Sequence, residues 1–286
     1  MKLDKNLDIL IVGLGLLGGS YAKALSSNGY KVSAITKNQE DIEFALKEKM
    51  IAYGTTEVEE RLIKEADLIL FALYPKIFLE WVENYGHLID EDTVVTDVTG
   101  VKGSIVFLVQ EKLKAEFISA HPMAGREASG IKNSDPEIFK GANYIVVPTD
   151  KNTEEAIDIC KALGESLGFA NISVLSPEEH DKMIAFLSQL THCIAVSLMC
   201  ANGDPDLVKY TGDSFRDLTR IADINDEMWS ELFLENKKAL LNEMDSYRKA
   251  FDKLYEHIKN DEREDMRQMM RLSSERRKYF GKRKDI

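Results

Sequence analysis

A near-continuous apolar run from Leu7 to Val12 leads into Gly13-Leu14-Gly15-Leu16-Leu17-Gly18-Gly19, and Ser20 to Ser27 then reads as a helix with Gly29 as its stop. Few architectures accept that order. A strand apolar at nearly every position is buried on both faces. In a strand-to-helix turn, Gly13 permits the tight bend, Gly15 lets the backbone approach a pyrophosphate, and Gly18 lets helix and strand pack closely. The helix N-terminus adds amides and a positive dipole end for phosphates. Gly13, Leu14, Gly15, Leu16, Leu17 and Gly18 are therefore expected to hold a dinucleotide; a glycine-rich turn without ligand is the alternative. The second strand, Lys31 to Thr36, sets the cofactor. An acid at its end would bind the ribose hydroxyls of NAD. Here Ile35-Thr36-Lys37-Asn38 supplies none. Thr36 and Lys37 suit a 2′-phosphate, which favours NADP over NAD unless Lys37 is only an exposed loop charge.

Strand and helix patterns keep alternating. Strands are expected at residues 66–73, 93–97 and 116–120, and helices at 41–49, 76–85 and 103–114. A further pair of strands, 142–147 and 171–175, flanks a helix over 153–167 and is expected to extend the same sheet. From Ser176-Pro177-Glu178-Glu179, a capping box with proline at the first helical position, no strand pattern follows. One helix is predicted from Pro177 to about Met199 and another from Asp226 to about His257. The latter carries Leu240, Met244, Tyr247, Phe251, Leu254 and Ile258 in a heptad seam. The fold class is α/β: an N-terminal doubly wound (Rossmann-type), mostly parallel sheet over residues 1–175, plus an all-α C-terminal helical domain over 176–286 whose seam should pack within the chain or across a dimer.

The net charge of −12 over 286 residues argues against nucleic acid and anionic membranes as partners. An anionic substrate would need a local cationic pocket. No uninterrupted run of 18 apolar residues and no secretory leader pattern occur, so a cytoplasmic protein without a membrane span is expected. Cys160, Cys193 and Cys200 form no CxxC pair or zinc spacing, and no metal site is indicated.

Several polar groups fall where chemistry is done. His121 follows the strand 116–120 and precedes Pro122, which biases its backbone to extended geometry. At the carboxyl end of a strand in an open α/β sheet it would face the ligand crevice; a structural turn is the alternative. Asp97-Val98-Thr99-Gly100-Val101-Lys102 ends a neighbouring strand. Thr99 is placed to bind a substrate or nicotinamide amide, or to cap a helix, and Lys102 to start the next helix. Ser188 and His192, four apart, share the face of an apolar helix, so His192 is expected to be buried. Arg216 and Arg220 are also four apart and would grip a carboxylate, unless Asp213 or Asp217 pairs with them. His180 lies about 120° around the helix from His192 and is not expected to converge with it. His87 and His257 are expected to be solvated.

Taken in order, Gly13 to Gly18, Asp97 to Lys102, His121 to Gly130, His180-Asp181 with Leu190-Thr191-His192, and Phe215 to Arg220 resemble the prephenate/arogenate dehydrogenase family of tyrosine biosynthesis. The resemblance covers residues 8 to 258. It implies oxidative decarboxylation of a cyclohexadiene: hydride passes to the nicotinamide, a base removes the hydroxyl proton, and carbon dioxide leaves. His121 matches the base, and Thr99 is a candidate to assist it. His192 and Arg220 match substrate-binding residues, Arg216 occupies a position usually basic, and Glu127 matches an acid at the site entrance. Two departures stand out: Gly100 replaces a serine that supports the histidine, and Gln189 replaces a second histidine. Prephenate is the expected substrate and a homodimer the expected assembly. Arogenate, a related hydroxyacid or pyrroline-carboxylate dehydrogenase, and a non-catalytic nucleotide sensor are the competing readings. With no regulatory or mutase segment after residue 286, any inhibition by tyrosine is expected to act at the active site.

Overall fold

A computed structural model describes residues 3–126 and 128–280. Residues 1–237 form one compact unit and 238–286 a second. In the first, six parallel strands lie in the order β3-β2-β1-β4-β5-β6: β1 Asp8–Val12, β2 Lys31–Ile35, β3 Tyr53–Thr55, β4 Leu68–Phe71, β5 Val94–Asp97 and β6 Glu116–Phe117. This is the strand order of a dinucleotide-binding sheet, whose crevice lies where the chain reverses direction beside β1. Strands β1, β4 and β5 are buried almost throughout. Their side chains alternate between two cores. Ile9, Ile11, Leu68 and Leu70 enter one, and Leu10, Val12, Ile69 and Phe71 the other. The second core is closed by Phe78 and Trp81, whose rings lie 4.6 and 4.8 Å from that of Phe71. Burial on both faces explains why these strands read as unbroken apolar runs.

The expected strand 116–120 is divided. Glu116–Phe117 belongs to the large sheet, and after Ile118 the chain enters a separate three-stranded sheet as β7, Ser119–Met123. There it pairs antiparallel with β8, Asn143–Val147, which pairs parallel with β9, Asn171–Val174. The strands 142–147 and 171–175 thus do not extend the first sheet. His121 consequently sits inside β7, opposite Ile145, and not in a loop after a strand. Pro122 is tolerated because β7 is an edge strand of this sheet. The short β3 and the helix Glu60–Glu65 lack a clear period in the sequence and were not expected.

The capping box forms as predicted: the Ser176 hydroxyl accepts from the Glu179 amide, and the Glu179 carboxylate accepts from the Ser176 amide at 2.9 Å. The helix from Pro177 reaches Ala201 but contains a π-helical turn at Ala185–Gln189. This run is long and apolar enough, by length and composition alone, to cross a membrane. Ser188, Gln189, Thr191 and His192 interrupt its apolar residues, so no unbroken apolar run marks it in the sequence. Its buried polar groups, His180, Asp181 and Gln189, are hydrogen-bonded within the compact unit. The helix predicted from Asp226 to His257 is broken in two, Asp226–Glu235 and Lys237–Lys259. The buried Asn236 at the break bonds the Asp181 carbonyl and the Gln189 side chain, both at 2.8 Å.

The second unit consists of most of the helix Lys237–Lys259, a turn with Asp261 at φ 57°, and the helix Arg263–Arg277. In it the heptad residues Tyr247, Phe251 and Ile258 are exposed. His257 is not simply solvated, since its Nδ1 lies 2.5 Å from Glu262.

Candidate active site

The glycine loop has the geometry its spacing requires. Gly13 has φ +101°, where an L side chain is strained, and a Cβ there would stand 2.5 Å from the Ala72 carbonyl oxygen. A Cβ on Gly18 would lie 1.9 Å from the Gly13 carbonyl oxygen, so helix and loop meet through bare backbone. Around Gly15, the N-cap of the helix Leu16–Ser27, a Cβ would meet nothing within 4 Å. That open space is what a phosphate against the helix N-terminus needs, and the loop fits a dinucleotide. Beyond β2, Thr36 is buried with its amide bonded to the Thr55 carbonyl, and Lys37 is exposed.

At the end of β5 a buried ion pair organises the neighbouring chain. Asp97 and Lys102 are both 0% exposed, with Lys102 Nζ at 3.0 and 3.2 Å from the two carboxylate oxygens. Asp97 also accepts from the Ser119 hydroxyl at 2.5 Å, from the amides of Thr99 and Ala120 at 2.9 and 3.1 Å, and from the Thr99 hydroxyl. Lys102 Nζ donates to the Ala120 carbonyl at 2.6 Å. Ser119 and Ala120 are where the chain has just changed sheets, so this pair fixes the strand that presents His121. Burial pulls the Lys102 ammonium below its usual pKa, against the opposing pull of Asp97.

Thr99 therefore has a different place from the one expected. It is 3% exposed, its hydroxyl engages Asp97 and Lys102, and it lies 3.0 Å from the Val101 carbonyl. It braces the ion pair with its hydroxyl turned inward. Lys102 likewise does not start a helix, which begins only at Val106. A side chain at Gly100 would meet Leu232 at ordinary van der Waals distance.

His121 Nδ1 lies 2.8 Å from His180 Nε2, and His180 Nδ1 lies 2.8 Å from Asp181 Oδ1. The Asp181 carboxylate is anchored by the amides of Lys102 and Gly103 at 2.9 and 2.7 Å. Burial lowers the His121 pKa well below its ordinary value, with His180 and then Lys102 adding to the shift. His180 is also lowered by burial, opposed by its hydrogen bond to Asp181. Helical phase relates His180 only to His192, whereas its partner lies on β7. The adjacent His180-Asp181 pair in the first turns of a capped helix was the available signal.

His192 is half-buried rather than buried. Its ring stacks on Trp229 with centroids 3.7 Å apart, and its Nδ1 lies 2.9 Å from the Ser188 carbonyl oxygen. Ser188 is half-buried beside it. Gln189 is buried, donating to the Leu232 carbonyl at 2.9 Å, and so ties the π turn to the helix that carries Trp229. Arg216 is exposed and bonded to Asp213 at 2.9 Å and to the Thr211 carbonyl at 2.7 Å. This is the internal pairing that competed with a substrate role. Arg220 lies past the end of that helix, in a turn packed beside the helix of His192, so the two arginines do not share one continuous α-helical face. Glu127 lies outside the described residues. Among the described residues, His257, Glu262 and Asp265 are the one group whose ligand atoms come within 4.8 Å of one another, on the exposed second unit.

Comparison with known proteins places this site among relatives. The family description "Prephenate dehydrogenase, nucleotide-binding domain" matches residues 21–173, and "Prephenate dehydrogenase, dimerization domain" matches residues 176–272. Prephenate dehydrogenase of Bacillus subtilis is 30% identical over 268 residues, spanning 90% of this chain and 72% of that protein. The crystal structure of prephenate dehydrogenase from Aquifex aeolicus in complex with hydroxyphenyl propionate and NAD+ superposes with TM-score 0.90 at 30% identity, covering 98% of this chain and 100% of that one. Arogenate dehydrogenase from Synechocystis gives TM-score 0.83 at 26% identity, covering 96% and 100%.

Proposed function

The chain belongs to the prephenate dehydrogenase family of oxidoreductases, and on that premise we propose that it converts prephenate to 4-hydroxyphenylpyruvate by oxidative decarboxylation, in the formation of tyrosine. The observation that carries this reading is His121. It is a histidine kept neutral by burial, fixed on a strand by a buried ion pair, and in the same compact unit as a dinucleotide loop. Removal of a hydroxyl proton from the ring calls for such a base. The bound nicotinamide supplies the hydride acceptor. Loss of the ring carboxylate as carbon dioxide and aromatisation make the reaction favourable.

Gly13 to Gly18 hold the cofactor pyrophosphate, with Leu14, Leu16 and Leu17 contributing backbone. Thr36 and Lys37 favour NADP; the NAD+ in the Aquifex aeolicus complex keeps NAD as the alternative. His192, Ser188, Arg220, Arg216 and Glu127 are the proposed substrate residues. Arg216 would exchange Asp213 for a substrate carboxylate. Arogenate is the second substrate reading, favoured by the likeness to the Synechocystis enzyme.

Absorbance at 340 nm with prephenate or arogenate and NAD or NADP, in all four combinations, tests this directly. Turnover with prephenate and NADP is expected. Cofactor binding with no turnover in any combination would leave a nucleotide sensor or another dehydrogenase.

We also infer that residues 176–286 serve substrate binding and dimerisation. The match of 176–272 to the dimerization domain supports this, as do the exposed apolar side chains Phe186, Leu187, Leu198 and Met199 on one unit and Phe251, Tyr255 and Ile258 on the other. Light scattering should give twice the chain mass; a monomer at micromolar concentration would remove the claim.

A further inference from the structure

With His180 neutral, the contacts that end at His121 admit one arrangement of protons. The Asp181 carboxylate can only accept, so His180 Nδ1 must be the donor across their 2.8 Å contact. Burial disfavours a protonated, doubly donating His180. A neutral ring with its proton on Nδ1 has a lone pair on Nε2. His180 Nε2 therefore accepts, and His121 Nδ1 donates across the second 2.8 Å contact. A neutral His121 with its proton on Nδ1 then has its lone pair on Nε2.

We propose that His180, itself oriented by Asp181, is a positioning residue for the His121 base: it accepts the Nδ1 proton of His121 and so leaves Nε2 as the nitrogen that takes the proton of the substrate hydroxyl. This deepens the reading of His121 as the base and rests on it. Asp181 is suited to the task because it is anchored on every side. Its two oxygens are held by consecutive amides, Lys102 and Gly103, and its own carbonyl accepts from Asn236. When His121 takes the hydroxyl proton, the substrate O–H bond breaks and leaves its electron pair on oxygen, the Nε2 lone pair forms the new N–H bond, and the ring becomes a cation with both nitrogens protonated. His180 continues to accept from Nδ1 without moving. The Asp181 charge beyond it favours that cation, so no reorganisation accompanies the proton transfer.

A long-range 1H–15N spectrum of [15N]histidine-labelled protein, without substrate or cofactor, reads the His121 tautomer, and steady-state kinetics read its consequence. His121 should carry its proton on Nδ1 in the native protein. His180→Ala should release it to the Nε2-protonated form common in water and lower kcat by at least about 10²-fold, as a wrongly held imidazole does, with KM for prephenate changed less than about threefold. His180→Gln can place an amide oxygen near the lost Nε2, and should restore the Nδ1 proton and part of kcat. An Nε2 proton on His121 in the native protein would overturn the proposal, as would full kcat in His180→Ala. If His180→Ala does not fold, the native spectrum and His180→Gln decide. The spectrum needs no turnover. A native Nδ1 proton lost in the variant therefore upholds the positioning role even if neither cyclohexadiene is a substrate.

Discussion

His121→Asn is expected to lose at least about 10²-fold in kcat while binding the dinucleotide as tightly as the native protein. A positioned general base contributes about 10²–10⁴-fold, and the glycine loop that holds the cofactor is built from other elements. The pH profile makes the same test more specific. The neutral ring is the active form. Burial, the neighbouring His180 and Lys102 all lower the His121 pKa, well below the ordinary 6.5. The neutral base thus persists as pH falls through the usual histidine range, and kcat/KM declines only when pH passes the depressed value. The acid limb should therefore lie below pH 6.5 in the native enzyme and vanish from the residual activity of His121→Asn. Stopped-rate assays from pH 4.5 to 8 with a fluorescence titration of the cofactor decide this. An acid limb above 7, or an Asn variant with near-native kcat, would remove His121 from the role.

Asp97→Ala should cost about 3–5 kcal/mol of unfolding free energy, the loss seen when one partner of a buried ion pair is deleted. The Lys102 ammonium would remain buried with only the Ala120 carbonyl and the Thr99 hydroxyl near it. Ser119 and the Ala120 amide would lose their acceptor as well. Replacing both charges with apolar residues of similar volume, Asp97→Leu with Lys102→Met, should recover only part of the stability, because it removes the unpaired charge but leaves the Ser119 hydroxyl and the Thr99 and Ala120 amides without their acceptor. It should not recover kcat, since the switch between sheets that presents His121 would no longer be tied. Urea unfolding of the three proteins measures the first effect. A loss under about 1 kcal/mol in Asp97→Ala would show that the pair does not carry the strand.

The large sheet was legible because its strands are buried on both faces and its first turn is written in glycine. Gly13, Gly15 and Gly18 each have a backbone requirement that no other residue meets as well. The small sheet was less legible. Glu116 to Ala120 is apolar enough for one strand, and only Ile118, between two pairing partners, marks the change. The partners of Thr99 were hidden for a related reason. Spacing places a residue on a strand end, but whether its hydroxyl turns to a ligand or inward is decided by Asp97 and Lys102, which pair only in three dimensions. His180 shows the same limit: helical phase relates residues on one helix and is silent about a partner on another element. The break at Asn236 could not be read from the heptad seam, because the asparagine is held by groups about 50 residues earlier in the chain.

The π turn at Ala185–Gln189 has an arithmetical consequence. Closing a turn one residue later than an α-helix does accommodates one residue beyond regular helical phase. The segment before it points His180 to β7, and the segment after it lays His192 on Trp229. Since one residue is about 100° of rotation in an α-helix, a one-residue deletion elsewhere between the two histidines would turn one half-helix against the other by more than a quarter of a circle, whereas a deletion within the turn would remove the extra residue and let it close as ordinary α-helix with both halves in place. The two imidazoles are thus set by a residue count, and this turn is where the helix holds its spare residue.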